Sequence, residues 1–77
     1  NYTTVENALP VVTHMVYKRC LRLDKRVQPF WPNVFRRLFI TQVVTPAFAS
    51  RPGNWLNLCM VAQLGQYGLL HYLLKLV

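Results

Sequence analysis

The sequence predicts an all-α chain, and three features carry that reading. Apolar residues recur at helical spacing through Leu9, Val12, Val16, Cys20 and Leu23, beside a separate stripe of cations. Proline and glycine punctuation at Pro29, Pro32, Pro46 and Pro52-Gly53 divides the rest into segments of helical length. Trp55 to Leu74 contains no Asp, Glu, Lys or Arg, although the formal net charge of the chain is +7. As a helix of about 30 Å, that segment matches the hydrocarbon core of one bilayer. The expected architecture is a small all-α membrane protein. An N-terminal basic amphipathic helix leads into a helical hairpin with one full transmembrane helix and a second that is short and kinked by proline. Residues 1–33 hold the basic helix and a Pro/aromatic interface linker; residues 34–77 hold the hairpin, with its transmembrane segment at 55–74.

In the first segment Thr3-x-x-Glu6 fits a capping box, and Asn7 is a second N-cap candidate that would leave Pro10 in the first turn. Lys18, Arg22 and Lys25, flanked by Arg19 and Arg26, give the helix a basic edge. Asp24 to Asn33 breaks it. There Pro29 and Pro32 bracket Phe30-Trp31, and Pro32 suits the first position of a new helix. Aromatic rings beside prolines and cations read as a membrane-interface anchor, with a hydrophobic staple in a soluble helix–helix corner as the alternative.

Val34 to Ser50 is the short hairpin arm. Its helical length of about 25 Å requires Arg36 and Arg37 to snorkel at one end, and Pro46 would kink or end it. The β-branched run Ile40, Thr41, Val43, Val44 and Thr45 also permits a strand. Ser50-Arg51-Pro52-Gly53-Asn54 is a turn, with Asn54 as N-cap of the last segment.

Within that last segment Cys59, Gln63 and Gln66 share one side, and Asn57, Gly68 and His71 another. Between them runs a lane of Leu58, Val61, Ala62, Gly65, Leu69, Tyr72 and Leu73. Amides facing hydrocarbon would lose their hydrogen bonds, so they are expected to face protein, and glycines let a second backbone approach. Asn57, Ala62, Gln63, Gly65, Gln66 and Gly68 are therefore the expected subunit-packing residues. Trp31, Trp55, Tyr72 and Lys75 are the expected interface anchors. Lys18, Arg19, Arg22, Lys25, Arg26, Arg36 and Arg37 are the expected contacts to an anionic lipid or partner surface.

Composition narrows the function classes. Charged residues make up 14% of the chain and hydrophobic ones 53%. Soluble domains average about 25% charged, so a self-sufficient small domain is short of polar cover. Nine Lys and Arg against Glu6 and Asp24 imply a polyanionic partner, and the apolar content excludes disorder. Cys20 and Cys59, without a CxxC, point to neither a zinc knuckle nor a disulfide framework but to reduced, buried thiols. No metal, cofactor or catalytic residue is expected. Two carboxylates with no evident partner offer no acid–base pair. Cys59 and His71 would stand about 18 Å apart on one helix, and His71 reads as a helix contact rather than a haem ligand. The start at Asn1 is expected to mark a processed product, and Asn1-Tyr2-Thr3 formally fits a glycosylation sequon.

The expected function is a non-catalytic accessory subunit of a large mitochondrial inner-membrane complex, such as a respiratory complex or ATP synthase. Other subunits and an anionic lipid such as cardiolipin would be its partners, and by the positive-inside rule both termini face the matrix. The alternative is a small basic protein of an organellar ribosome, with the same cations on rRNA phosphates and Tyr17, Phe30, Trp31 and Phe35 stacking on bases. Pro52-Gly53-Asn54-Trp55-Leu56 is similar to the Pro-x-Asn-Trp opening of the last span in mitochondrial pyruvate carrier subunits, and Phe30-Trp31 resembles an aromatic pair earlier in that family. This resemblance covers a handful of residues and implies, as a further alternative, a subunit of a heterodimeric carrier. The interval between the two aromatic sites is shorter than the family's intervening span, and an Asn cap beside an interfacial Trp yields the same letters.

Overall fold

A computed structural model describes residues 5–50 and 55–76. Thr3 of the capping box, the sequon and the turn at 51–54 lie outside the described residues, as do the side chains of Trp55, Asn57 and Cys59. Four α-helices follow in order: α1 (Val5–Leu23), α2 (Asn33–Phe39), α3 (Thr45–Ser50) and α4 (Trp55–Lys75). A 3-10 helix, Lys25–Phe30, links α1 to α2, and a π-helical stretch, Ile40–Val44, joins α2 to α3. No strand occurs among the described residues, so the all-α class holds and the strand alternative for 34–50 falls.

α1 begins at Val5, ahead of Asn7, so Pro10 lies inside the helix and not in its first turn. Its buried stripe is wider than the apolar series, because Thr13 and Tyr17 join Val12, Val16 and Cys20. Thr13 is tolerated there because its hydroxyl donates to the Leu9 carbonyl at 2.7 Å. Leu23, expected in the stripe, is exposed. After α1, Asp24 caps the 3-10 helix by accepting from the Arg26 amide. The Trp31-Pro32 peptide is cis.

Pro46 neither ends the second arm nor breaks it. A proline ring clashes with the carbonyl four residues back in an α-helix. The helix instead widens just before it: the Thr45 N–H donates to Ile40, five residues back. The extra residue rotates the register. Phe35, Phe39 and Val43 face inward at intervals of four; beyond them Val44 and Ala47 are buried while Pro46 is exposed.

These elements form a three-helix bundle. Cys20 Sγ donates to the Gln66 carbonyl at 3.4 Å, and Val12, Val16 and Arg19 share a cleft with Ala62 and Gln63, so α1 and α4 run side by side in parallel. The π-helical middle arm returns between them: a Cβ built on Gly65 would lie 3.2 Å from Val43 Cγ2. The Cα radius of gyration is 11.9 Å, close to the roughly 11–12 Å of a compact domain this long. The arm of 34–50 packs against α4, and α1 forms the third wall.

The transmembrane assignment finds no support here. Among the described residues no helix is long and apolar enough to cross a membrane. In α4 the reason is the polar content already visible in its sequence: Gln63, Gln66 and His71, with two glycines and two tyrosines, dilute its hydropathy. α4 buries one stripe, Leu58, Ala62, Leu69 and Leu73, against the other helices. Its outer ridge stays open, with Leu64 80%, Tyr67 61% and Met60 57% exposed.

Candidate functional site

The expected anion-contacting residues divide over three places. Arg19 and Arg22, three residues apart on α1, face α4 across a groove of about 510 Å³ whose other walls are Leu23 and Gln66. Lys18 is exposed on the same helix. Arg36 and Arg37 line a second, open groove of about 300 Å³ with Asn33, Ile40 and Thr41, beside the π-helical stretch. Lys25 and Arg26 project from the 3-10 helix.

Only one of these cations is paired with a carboxylate among the described residues. Arg26 grips Asp24 through Nε and a terminal nitrogen, the shortest bond being 2.8 Å. That side-chain hydrogen bond, aided by the Arg26 amide, holds the Asp24 carboxyl below its ordinary range. The pair closes a tight local corner, and Arg26 is thereby less available than the sequence implied. Lys18, Arg19, Arg22, Lys25, Arg36 and Arg37 have no such partner among the described residues.

The two helices that form the first groove also carry exposed apolar groups. Met15 and Leu23 are each 49% exposed on α1, and Met60, Leu64 and Tyr67 stand along α4. A smaller cleft of about 30 Å³ between Val12, Met15, Val16, Arg19, Ala62 and Gln63 continues the same face. Cations set among apolar side chains on one face can take phosphate oxygens and, next to them, hydrocarbon.

The expected packing residues behave unequally. Ala62 is buried and Gly65 half-buried, but both serve contacts within the chain, Gly65 against Val43. Gln63 and Gly68 are exposed, and a Cβ on Gly68 would meet nothing within 4 Å. The small residue that the spacing offers for a close helix contact is therefore left open at Gly68. Gln66 is half-buried, and its side-chain oxygen is fully covered yet has no hydrogen-bond partner.

Trp31 is not the outward anchor expected from its neighbourhood. Its ring stacks on Tyr17 at a centroid distance of 4.5 Å and meets His14 edge-on at 5.4 Å. Phe35 closes the cluster against Tyr17 at 5.4 Å. Burying Tyr17 demands an apolar cover, and the turn at 31–32 lays the indole over it. The Tyr17 hydroxyl, in turn, donates to the Gln28 carbonyl at 3.4 Å. Tyr72 and Lys75 are exposed.

Among the described residues, no three His, Cys, Asp or Glu cluster. Cys20 is fully buried, and burial pushes its thiol up to about 11, which leaves it protonated and unreactive at neutral pH. No family model, curated protein or solved structure matches this chain, so the likeness to pyruvate carriers stays confined to a few letters.

Proposed function

We propose that this chain is a non-catalytic accessory subunit that lies against an anionic membrane surface and braces a larger complex there. The setting expected from its composition is the mitochondrial inner membrane, with cardiolipin as the anionic lipid. The observation that carries the reading is the α1–α4 face. Lys18, Arg19 and Arg22 of α1 have no carboxylate partner among the described residues, and the same two helices expose Met15, Leu23, Met60 and Tyr67. In this form the bundle rests on the surface, its cations on the headgroups and its apolar ridge at the acyl boundary. Such a face is what an interfacial amphipathic element presents.

rRNA would use the same cations, but it would leave the apolar ridge without a partner. The rings assigned to base stacking are also engaged elsewhere, since Tyr17 and Phe35 are buried and Trp31 is stacked on Tyr17. Flotation of the intact chain with phosphatidylcholine vesicles, with and without anionic lipid, tests the proposal. Each cation near the surface contributes about 1 kcal/mol, so replacing Lys18, Arg19 and Arg22 by Gln should weaken binding about 100-fold. Added salt should weaken it further. Equal binding to neutral and anionic vesicles, or displacement from anionic vesicles by trace RNA, refutes it.

A further inference from the structure

We infer that, off the membrane, the outer ridge of α4 is covered by a second copy of this chain, packed antiparallel about a two-fold axis. The inference goes beyond the membrane-surface reading, because it concerns the protein before it meets a bilayer.

Met60, Leu64, Tyr67 and His71 are all exposed, and their spacing of four, three and four residues is that of a coiled-coil seam. Leu64 is the most exposed large apolar side chain among the described residues. Gly68 lies beside the seam with open space above it, which leaves a gap for a side chain from a facing helix.

Charge selects the occupant. The chain carries a formal +7, so two copies repel wherever cations face cations. α1 brings Lys18, Arg19 and Arg22, and the middle arm brings Arg36 and Arg37. From Trp55 to Leu74, α4 has no charged residue. Of the three helical walls it is therefore the one that meets its own image without like charges. An acidic partner would be drawn to the other two walls.

Charge also sets the direction. A parallel pair would bring the two Lys75 side by side at the end of the seam and align the helix dipoles. An antiparallel pair separates the lysines and opposes the dipoles. The two-fold axis then sets Leu64 on Tyr67 of the second copy and Met60 on its His71, each contact made twice. Large side chains bury about 150–250 Å² each, so the exposed parts of Met60, Leu64 and Tyr67 give roughly 400 Å² per copy. With the rim of Gln63, Gly68 and His71 the pair buries about 1,000 Å² in all, the size of a weak, reversible complex. A pair of that strength yields the ridge to a bilayer.

Sedimentation equilibrium in lipid-free buffer, from about 5 to 500 µM chain, reads the pairing. The mass should climb from 9.0 kDa towards twice that value. Leu64→Lys, at an exposed position, should keep the circular dichroism of the wild type and stay monomeric throughout. Direction is read in chains carrying Cys59→Ser. Equal amounts of Met60→Cys and His71→Cys chains, mixed and oxidised with glutathione disulfide, should form the mixed disulfide. Met60→Cys alone should not cross-link, since antiparallel packing sets its two copies about 16 Å apart along the axis. Anionic vesicles should lower the yield of mixed disulfide. A monomeric wild type, or association that survives Leu64→Lys, overturns the second copy as occupant and leaves the membrane-surface reading standing. Efficient Met60→Cys cross-linking overturns the antiparallel arrangement. An undiminished yield in chain that floats with the vesicles overturns the restriction to the lipid-free protein. Failure to float with anionic vesicles overturns the membrane-surface reading and leaves the pairing standing.

Discussion

Gln66→Met should make the protein more stable while removing a polar group from the groove between α1 and α4. The side-chain oxygen of Gln66 is covered and unbonded. An unsatisfied buried polar group costs about 1–3 kcal/mol, and a residue only half-buried warrants the lower end. Methionine is close to glutamine in length and shape and carries no hydrogen-bond requirement. The backbone carbonyl of Gln66, which receives the Cys20 thiol, is unaffected by the change. The expected gain is about 1 kcal/mol, or a rise in Tm of about 4–8 °C for a domain of this size. Thermal unfolding by circular dichroism in lipid-free buffer measures it, with Gln63→Met as control. Gln63 is exposed on the same helix, so that substitution should shift Tm little. An unchanged or lower Tm for Gln66→Met would mean that the carboxamide is satisfied in the free protein.

Two glycines on α4 should respond in opposite directions. Gly68 faces open space, so Gly68→Ala should raise stability by about 1 kcal/mol through helix propensity, read as a higher midpoint in urea unfolding. Gly65→Leu must displace Val43, whose Cγ2 would lie 3.2 Å from a Cβ at 65, and should lower stability by about 1–3 kcal/mol or more. Matching effects at the two positions would contradict the placement of α4 against the π-helical arm. Cys20 should make the fold sensitive to alkali. Its thiol is held protonated to about 11 in the bundle against an ordinary 9.0. Above pH 9 the unfolded chain therefore binds fewer protons than the folded one, and stability falls as pH rises from 9 towards 11. The loss reaches about 2 kcal/mol. Because tyrosines and lysines titrate in the same window, the measurement is the difference in pH dependence between wild type and Cys20→Ala. No difference would refute the buried-thiol assignment.

Much of the fold was legible because helix periodicity is local information. Val12, Val16 and Cys20 of the α1 stripe and Leu58, Ala62, Leu69 and Leu73 of the α4 lane became core, while Leu23 and Tyr72, read into the same stripe and lane, are exposed. The basic edge at 18, 22 and 25 became surface. What escaped the sequence depended on tertiary choices. Nothing in the spacing says that Tyr17 needs a lid, so Trp31 read as an outward anchor when it closes over that ring. Pro46 signals trouble for a helix, but whether the chain stops, kinks or widens depends on the value of keeping Phe39, Val43 and Ala47 all inward. The candidate site was half legible. Arg19, Arg22 and Gln66 could each be singled out from the sequence, but their meeting across one groove follows from α1 and α4 lying parallel, a long-range pairing that periodicity does not encode.

That pairing also bears on the central difficulty posed by the composition. A chain of 77 residues with 14% charged residues has too little polar surface to cover a segment as apolar as 55–74 on every side. The bundle covers only one side of it. α1 and the middle arm shelter Leu58, Ala62, Leu69 and Leu73, while Met60, Leu64 and Tyr67 remain exposed along the opposite ridge. Of the cations on the adjacent helix α1, Lys18, Arg19 and Arg22 have no carboxylate partner among the described residues, where the ion pair present is Asp24–Arg26. Self-repulsion among unpaired cations destabilises a compact state, and an exposed apolar ridge invites association. A single partner relieves both strains only if it offers negative charge and hydrocarbon side by side. An anionic bilayer surface does so and RNA does not, which is why the apolar ridge, more than the charge count, favours the membrane-surface reading we propose.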